Sequence, residues 1–150
     1  MKIALGSDHA GFTLKELIRE QLEANGVEVT DFGTFCESSV DYPDIALPLI
    51  EAVAAGEFPS GILICGTGIG MTIAANKHPG IRAALCGDTF SARCAREHND
   101  ANILTMGARV IGPGPALEIV DTFLKSPFQG GRHSRRLEKI AFIERRGKIQ

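Results

Sequence analysis

The sequence predicts an α/β fold, a three-layer Rossmann-like or flavodoxin-like sandwich with helices on both faces of a five-stranded parallel sheet. Three observations favour it. Short apolar segments alternate with longer segments of helical periodicity along the whole chain. The apolar segments are continuous runs, as in strands buried on both faces, and helix-length crossovers separate them. The 150 residues contain no repeat, linker or low-complexity tract, so we expect a single domain over 1–150.

The first elements form a β-α-β unit. A strand is predicted over Lys2–Gly6, a helix over about 11–24, and a second strand over Val27–Asp31. The Asn25-Gly26 pair gives the helix a stop signal. Four apolar residues are spaced to share one face of this helix: Leu14, Leu17, Ile18 and Leu22.

A polar loop and a second helix follow. Gly33–Asp41 is predicted as the loop, and Tyr42-Pro43 opens a helix that extends to about Gly56. Pro48 lies within that helix, which predicts a kink or a later helix start.

The rest of the chain adds three strands and their crossovers. Continuous apolar runs predict strands over Gly61–Cys65, Ile81–Cys86 and Asn102–Met106. Four further helices are expected: one to about Lys77, one begun by Asp88, one over about 115–125 with Leu117, Val120 and Leu124 on one stripe, and one over about 134–146.

Composition excludes several function classes. Sixteen Lys and Arg against eighteen Asp and Glu give a net charge of -2, so no general basic field is available for nucleic acid or an anionic membrane. Neither a membrane-spanning run nor a secretory signal is apparent, so we expect a cytoplasmic protein. The cysteines show no metal-ligand spacing and no disulfide framework, and free thiols are expected at four positions: Cys36, Cys65, Cys86 and Cys94.

The segment Cys65-Gly66-Thr67-Gly68-Ile69-Gly70 is the strongest local signal. It follows a predicted strand, and its glycines let backbone N–H groups approach an anion closely. It is not a Walker A loop, because no Gly-Lys-Ser/Thr ends it. Met71 stands where a dinucleotide fingerprint needs glycine and a Cys-x5-Arg phosphatase loop needs arginine. A tight strand-to-helix turn without a ligand is the alternative interpretation.

Cys65 and the Asp8-His9 pair lie where a parallel sheet binds its ligands, at the carboxyl ends of strands. Near a helix amino terminus, Cys65 could serve as a base or nucleophile, or it could be a buried core cysteine. Asp8 and His9 suit proton transfer or phosphate binding, the latter through a protonated ring, although Asp8 could equally cap a turn. The spacing of the four histidines gives little support to a metal site: His9, His78, His98 and His133.

The carboxyl-terminal segment is strongly basic. Arg132 and Arg136 are four residues apart, so a helix could direct both at one phosphate; a solvated helix face is the alternative. The segment holds seven of the sixteen basic residues: Arg132, Arg135, Arg136, Lys139, Arg145, Arg146 and Lys148.

The segment His98-Asn99-Asp100 ends the helix after the fourth strand. It is therefore expected at the sheet edge opposite Cys65, and a second subunit would have to bring it into a shared site.

An ordered set of segments carries a family resemblance over almost the whole chain: Ser7-Asp8-His9-Ala10-Gly11, Asp41-Tyr42-Pro43, Cys65 to Gly70, Ala75-Asn76-Lys77, Glu97 to Asn102, and Gly130-Gly131-Arg132-His133. The set resembles ribose-5-phosphate isomerase type B, of the sugar-phosphate isomerase family that includes the galactose-6-phosphate isomerase subunits. The resemblance implies interconversion of D-ribose 5-phosphate and D-ribulose 5-phosphate through a cis-enediol. It further implies a phosphorylated sugar as ligand, no metal or other cofactor, and a homodimer whose site draws on both subunits, with a tetramer of two such dimers as the alternative assembly.

The resemblance also implies a role for each site residue. Cys65 would be the base; Asp8 and His98 would open the sugar ring, with Thr67 near the ring oxygen. The substrate-binding residues would be the loop residues Gly66, Gly68, Ile69 and Gly70, the phosphate ligands His9, Arg132, Arg136 and Arg109, and the sugar-lining Tyr42 and Asn99. The last helix would serve the phosphate site or the dimer contact.

Some relatives place a carboxylate in the role of the base. Met71 follows the glycine loop here and cannot act as a base, which favours Cys65. The Gly-Gly-Arg-His ending favours the ribose enzyme, but allose 6-phosphate, galactose 6-phosphate or a tetrose phosphate would need the same chemistry. A non-catalytic phosphosugar-binding module and a metal-dependent isomerase built on Asp8 and the histidines are the other hypotheses.

Overall fold

Residues 1–147, which the computed structural model describes, form five strands and six helices around one sheet. Every strand pair in the sheet is parallel, in the order β2-β1-β3-β5-β4. The strands are β1 (Lys2–Ser7), β2 (Glu28–Asp31), β3 (Gly61–Cys65), β4 (Ala83–Leu85) and β5 (Ile103–Gly107). The helices are α1 (Phe12–Ala24), α2 (Tyr42–Ala54), α3 (Ile69–Ala75), α4 (Thr89–Asn99), α5 (Pro113–Lys125) and α6 (Arg132–Arg146).

Helices cover both faces of the sheet, as the sequence predicts. Alternate residues of a strand point to opposite faces, so Leu5 packs with α1 and α5 while Ala4 packs with α2. β3 shows the same alternation, because Ile64 belongs to the first layer and Leu63 to the second. The three-layer sandwich is confirmed.

The strand order departs from the flavodoxin order β2-β1-β3-β4-β5 at its last two strands. β4 has three residues, none of them buried, whereas all five residues of β5 are buried. The short, exposed strand therefore occupies the edge and the apolar one lies inside. β4 is also shorter than the predicted Ile81–Cys86.

Two local predictions need correction. Leu17 is 40% exposed, while Leu14, Ile18 and Leu22 of α1 are buried as predicted. Lys15 is buried instead, because its Nζ pairs with Glu16 at 2.8 Å and with Asp31 of β2. α2 begins at Tyr42 as predicted and contains Pro48, so of the two effects expected from Pro48 the late start is wrong.

α6 begins at Arg132, two residues earlier than predicted, so Arg132 and Arg136 both lie on it. Lys148, the last member of the basic segment, lies outside the described residues. Among residues 1–147, the structure has no helix with the length and apolar character that a bilayer crossing requires.

Candidate active site

Cys65 ends β3 and lies directly beneath the glycine loop. Its side chain is 5% exposed, and its Sγ accepts a hydrogen bond from the Gly68 N–H at 3.1 Å. Gly68 has φ of +80°, and a Cβ there would lie 2.8 Å from the carbonyl carbon of Met106. Only glycine fits this position without strain, so the loop residue that contacts the sulfur is specified by backbone geometry. Cys65 thus belongs both to the packed core and to the loop.

The loop presents backbone donors above the sulfur. The Ile69 N–H donates to Thr67 Oγ1 at 3.3 Å, and the N–H groups of Gly70 and Met71 have no acceptor within residues 1–147. These amides belong to the first turn of α3, where no earlier helical carbonyl is available. α3 is only seven residues long, so the donors themselves, rather than a long helix dipole, are what the loop offers to an anion.

Tyr42 and Arg109 flank the loop on either side. A Cβ at Gly70 would lie 2.7 Å from Tyr42 Cζ, so the tyrosine ring rests against the Gly70 backbone. The Arg109 N–H donates to the Gly66 carbonyl at 3.0 Å, and its side chain lies beside Gly66. Both side chains therefore lie against the glycine loop that covers Cys65.

Asp8 follows β1 and reaches the same edge, since its N–H donates to the Ile64 carbonyl of β3 at 3.1 Å. Its Oδ1 accepts hydrogen bonds from the N–H groups of Ala10 and Gly11, at 3.0 and 3.1 Å, and so caps a 3₁₀ turn over His9–Gly11. The capping role is therefore present, and it uses one carboxylate oxygen. Oδ2 has no partner among the described residues.

His9 lies beside Asp8, with its ring fixed by the loop before α2. The Val40 N–H donates to His9 Nδ1 at 3.3 Å. Because an amide only donates, Nδ1 is the acceptor in this contact, and Nε2 is the ring nitrogen left for a ligand.

The other predicted residues form a second cluster where α4 ends and α6 begins. The rings of His98 and His133 stack with centroids 4.4 Å apart and an interplanar angle of 8°. His133 is buried, and burial lowers its pKa, with the charges of His98, Arg132 and Arg136 adding to the effect. Sequence reasoning considered His133 only as one of four histidines for a metal site and as part of the Gly130–His133 segment, and it did not predict the contact with His98.

The two clusters lie at opposite ends of the parallel strands. β3 and β5 pair in register from Gly61 with Ile103 to Cys65 with Gly107. Four residue steps along a strand separate its two ends by about 13 Å. His98 lies at the amino end of β5. A single chain therefore brings together one group of the predicted residues: Asp8, His9, Tyr42, Cys65, Gly66, Thr67, Gly68, Ile69, Gly70 and Arg109. It leaves the other group apart: His98, Asn99, Arg132 and Arg136.

A cavity of about 870 Å³ lies away from both clusters' predicted catalytic residues, beneath α6. It separates α6 from the β4 edge and is lined by Leu137, Ile140 and Ile143 on one side and by Ala84 and Leu85 on the other. Residues 1–147 contain no group of three or more His, Cys, Asp or Glu side chains that could hold a metal ion.

Comparison with known proteins identifies the family. The profile of the Ribose/Galactose Isomerase family matches residues 3–140. The chain belongs to this family. As one of the ribose/galactose isomerases, the protein is an aldose–ketose isomerase, and the family resemblance of its sequence is confirmed.

Individual ribose/galactose isomerases agree with this chain over nearly its full length. A ribose-5-phosphate isomerase B of Escherichia coli is 51% identical over 145 residues, which cover 97% of each chain. A D-erythrulose-4-phosphate isomerase of Pectobacterium atrosepticum is 45% identical, covering 100% of this chain and 99% of the relative. The solved structure of ribose-5-phosphate isomerase B from Clostridium thermocellum superposes with a TM-score of 0.97 at 57% identity, covering 99% and 100% of the two chains.

Proposed function

We propose that this isomerase interconverts D-ribose 5-phosphate and D-ribulose 5-phosphate, with Cys65 as the base that moves the proton. The observation that carries the proposal is the arrangement of the Cys65 sulfur beneath a loop whose Gly70 and Met71 amides are unpaired within residues 1–147. Aldose–ketose isomerisation needs one base beside the reacting carbons and donors for an oxygen that becomes negative. The loop region supplies both.

The proton transfers follow from this arrangement. With the sugar ring open, the Cys65 thiolate takes the proton from C2 of the aldose, and the aldehyde oxygen O1 becomes the enediolate oxygen. Backbone N–H groups of the loop stabilise this negative charge. The thiol then returns its proton to C1, while the hydroxyl proton passes from O2 to O1, giving the ketose and restoring the thiolate.

Ring opening needs a group that takes the O1 proton and one that protonates the ring oxygen. Asp8 keeps Oδ2 free of protein partners in the described chain, and the Thr67 side chain is exposed above the same edge. His98 is the second ring-opening group in this proposal, supplied by another subunit. The phosphate would be held by Nε2 of His9, by Arg109, and by Arg132 and Arg136 of that subunit.

Two features of the single chain favour a second copy as part of the site. The His98 end of the second copy carries Arg132 and Arg136, which lie away from Cys65 within one chain. Its surface would also cover the loop, where Thr67 and Ile69 are exposed to solvent in the single chain. We therefore propose a homodimer as the smallest active unit.

The substrate assignment has one rival of the same chemistry. The similarity to a D-erythrulose-4-phosphate isomerase favours a tetrose phosphate as the second candidate, because the loop and the base would serve either chain length. The length of the sugar is set by the span between Cys65 and the phosphate ligands, and that span crosses the proposed dimer interface.

One assay decides between these substrates. The purified protein is offered ribose 5-phosphate, erythrose 4-phosphate, allose 6-phosphate and galactose 6-phosphate in parallel, after treatment with a chelator, and ketose formation is followed. The highest kcat/KM is expected with ribose 5-phosphate. A higher kcat/KM with erythrose 4-phosphate would transfer the assignment to the tetrose. Loss of activity on chelation would overturn the metal-free mechanism.

A further inference from the structure

A buried threonine and a half-buried one connect the interior strand β5 to the glycine loop. Thr105 of β5 has no exposed surface, and its Oγ1 lies 2.5 Å from Oγ1 of Thr72 on α3. Thr72 Oγ1 in turn donates to the carbonyl of Gly68 at 2.7 Å. The three groups form a continuous hydrogen-bonded chain from the sheet to the loop residue that contacts Cys65.

The direction of this chain follows from the hydroxyl inventory. A threonine hydroxyl has one proton, and Thr72 uses its proton on the Gly68 carbonyl. The short contact between the two hydroxyls therefore has Thr105 as donor and Thr72 as acceptor. Gly68 is thus held at both of its backbone polar groups, since its N–H donates to Cys65 Sγ at 3.1 Å.

We propose that Thr105 and Thr72 are positioning residues for the isomerisation. They fix the Gly68 carbonyl and thereby keep the N–H groups of the loop directed at the enediolate oxygen. The inference rests on the proposed function of the loop. The Gly68 carbonyl and the Ile69 N–H belong to one planar peptide, so anchoring the carbonyl also sets the direction of that N–H. Rotation of this peptide would break the Ile69 N–H contact with Thr67 Oγ1 and displace the amides of Gly70 and Met71 that follow it, the donors proposed for the enediolate oxygen.

Packing alone does not require a hydroxyl at Thr105. The position lies between Ile103 and Gly107 on a face of β5 that packs in the apolar layer under α3, where valine has the same shape as threonine. A buried hydroxyl costs free energy unless it is hydrogen-bonded. Its hydrogen-bond partner among the described residues is Thr72, and through it the loop.

The test compares Thr105→Val, Thr72→Val and Thr105→Ser with the control Thr30→Val, a threonine of β2 away from the loop. We expect Thr105→Val and Thr72→Val each to lower kcat about tenfold, because a misaligned donor weakens transition-state stabilisation. The Kd of ribitol 5-phosphate, which binds but cannot form an enediolate, should change less than twofold. Thr105→Ser should restore kcat to within threefold of wild type, and the double variant should be no slower than either single one.

A second readout does not depend on the activity. The rate at which iodoacetamide alkylates Cys65, followed by peptide mass spectrometry, should change in Thr105→Val and stay as in wild type in Thr105→Ser and Thr30→Val. If the wild-type protein isomerises none of the sugars, the proposed function fails while this alkylation pattern still tests the positioning role. An active wild type with an equally active Thr105→Val, or a Thr105→Ser as impaired as Thr105→Val, overturns the positioning role alone.

Discussion

The Gly68 N–H donates a hydrogen bond to the Sγ of Cys65 at 3.1 Å, although the two residues are separated by a turn that only glycine can adopt at position 68. This contact joins the candidate base to the loop that would stabilise the enediolate. Of the four cysteines, Cys65 alone lies at the glycine loop, and Cys36 is exposed on the loop before α2.

Cys65→Ala should lower kcat with ribose 5-phosphate by about a thousandfold, because it removes the group that carries the proton between the two carbons. The Kd of ribitol 5-phosphate should remain within a fewfold, since the alanine leaves the loop amides in place. Steady-state kinetics and calorimetry measure the two quantities. Cys36→Ala is the matched control and should keep wild-type turnover; undiminished turnover in Cys65→Ala would remove Cys65 as the base.

Co-expression of two defective chains should restore activity. Each variant is expected to be nearly inactive at low substrate concentration, because Cys65→Ala lacks the base and Arg132→Ala lacks a phosphate ligand. Random pairing makes half of the dimers mixed, and each mixed dimer has one intact site if the site draws on both subunits, which gives about a quarter of wild-type activity. Two differently tagged chains allow the mixed dimer to be purified. A mixed dimer without activity would place the whole site in a single chain.

The free thiols should react at very different rates. Hydrogen bonds from Ser38 lower the pKa of the exposed Cys36 thiol, whereas burial, and secondarily the charge of Asp88, raises the pKa of Cys86 to about 12. The thiolate is the reactive form, so iodoacetamide at pH 8 should modify Cys36 at least about a hundredfold faster than Cys86. Peptide mass spectrometry follows both sites. In urea the difference should vanish; equal rates in the folded protein would contradict the burial of Cys86.

The folded state should lose stability as the pH falls below about 6.5. Burial lowers the pKa of His133 from its usual 6.5, so at lower pH the unfolded chain binds this proton more readily than the folded one. The loss begins at the unfolded value and levels off below the folded pKa. Urea midpoints at pH 7.5, 6.5 and 5.5 measure it. His133→Phe keeps a flat ring against His98 and should weaken the dependence, while His78→Gln should not; an identical pH profile in His133→Phe would refute the assignment.

Local sequence signals were sufficient for most of the fold. Apolar runs and helical periodicity predicted all five strands and six helices of the described chain, because these patterns depend on residues near one another. The Asp88 cap was predicted for the same reason, and its side chain does accept the Ser91 N–H. The glycine loop was also visible, since its close spacing after a strand is a local property.

Burial and strand order depended on distant residues. No pattern within α1 indicates that Lys15 is buried, because its partner Asp31 lies on another element. β5 lies between β3 and β4, and β4 forms the edge of the sheet. This order follows from the burial of β5, which only the assembled sheet defines. The stacking of His133 on His98 joins two residues of different helices that are 35 positions apart in the sequence, so neither helix predicts it alone.

The sequence by itself determined the layers of this protein, the loop after β3 and the residue types available for proton transfer, because each is encoded in neighbouring side chains. Only the tertiary structure decided which end of the strands each group occupies, which nitrogen of His9 accepts the Val40 N–H, and that Thr105 reaches the Gly68 carbonyl through Thr72. Hydrogen bonds are short and directional, so these relationships exist only once packing has fixed the distances between elements that are remote along the chain.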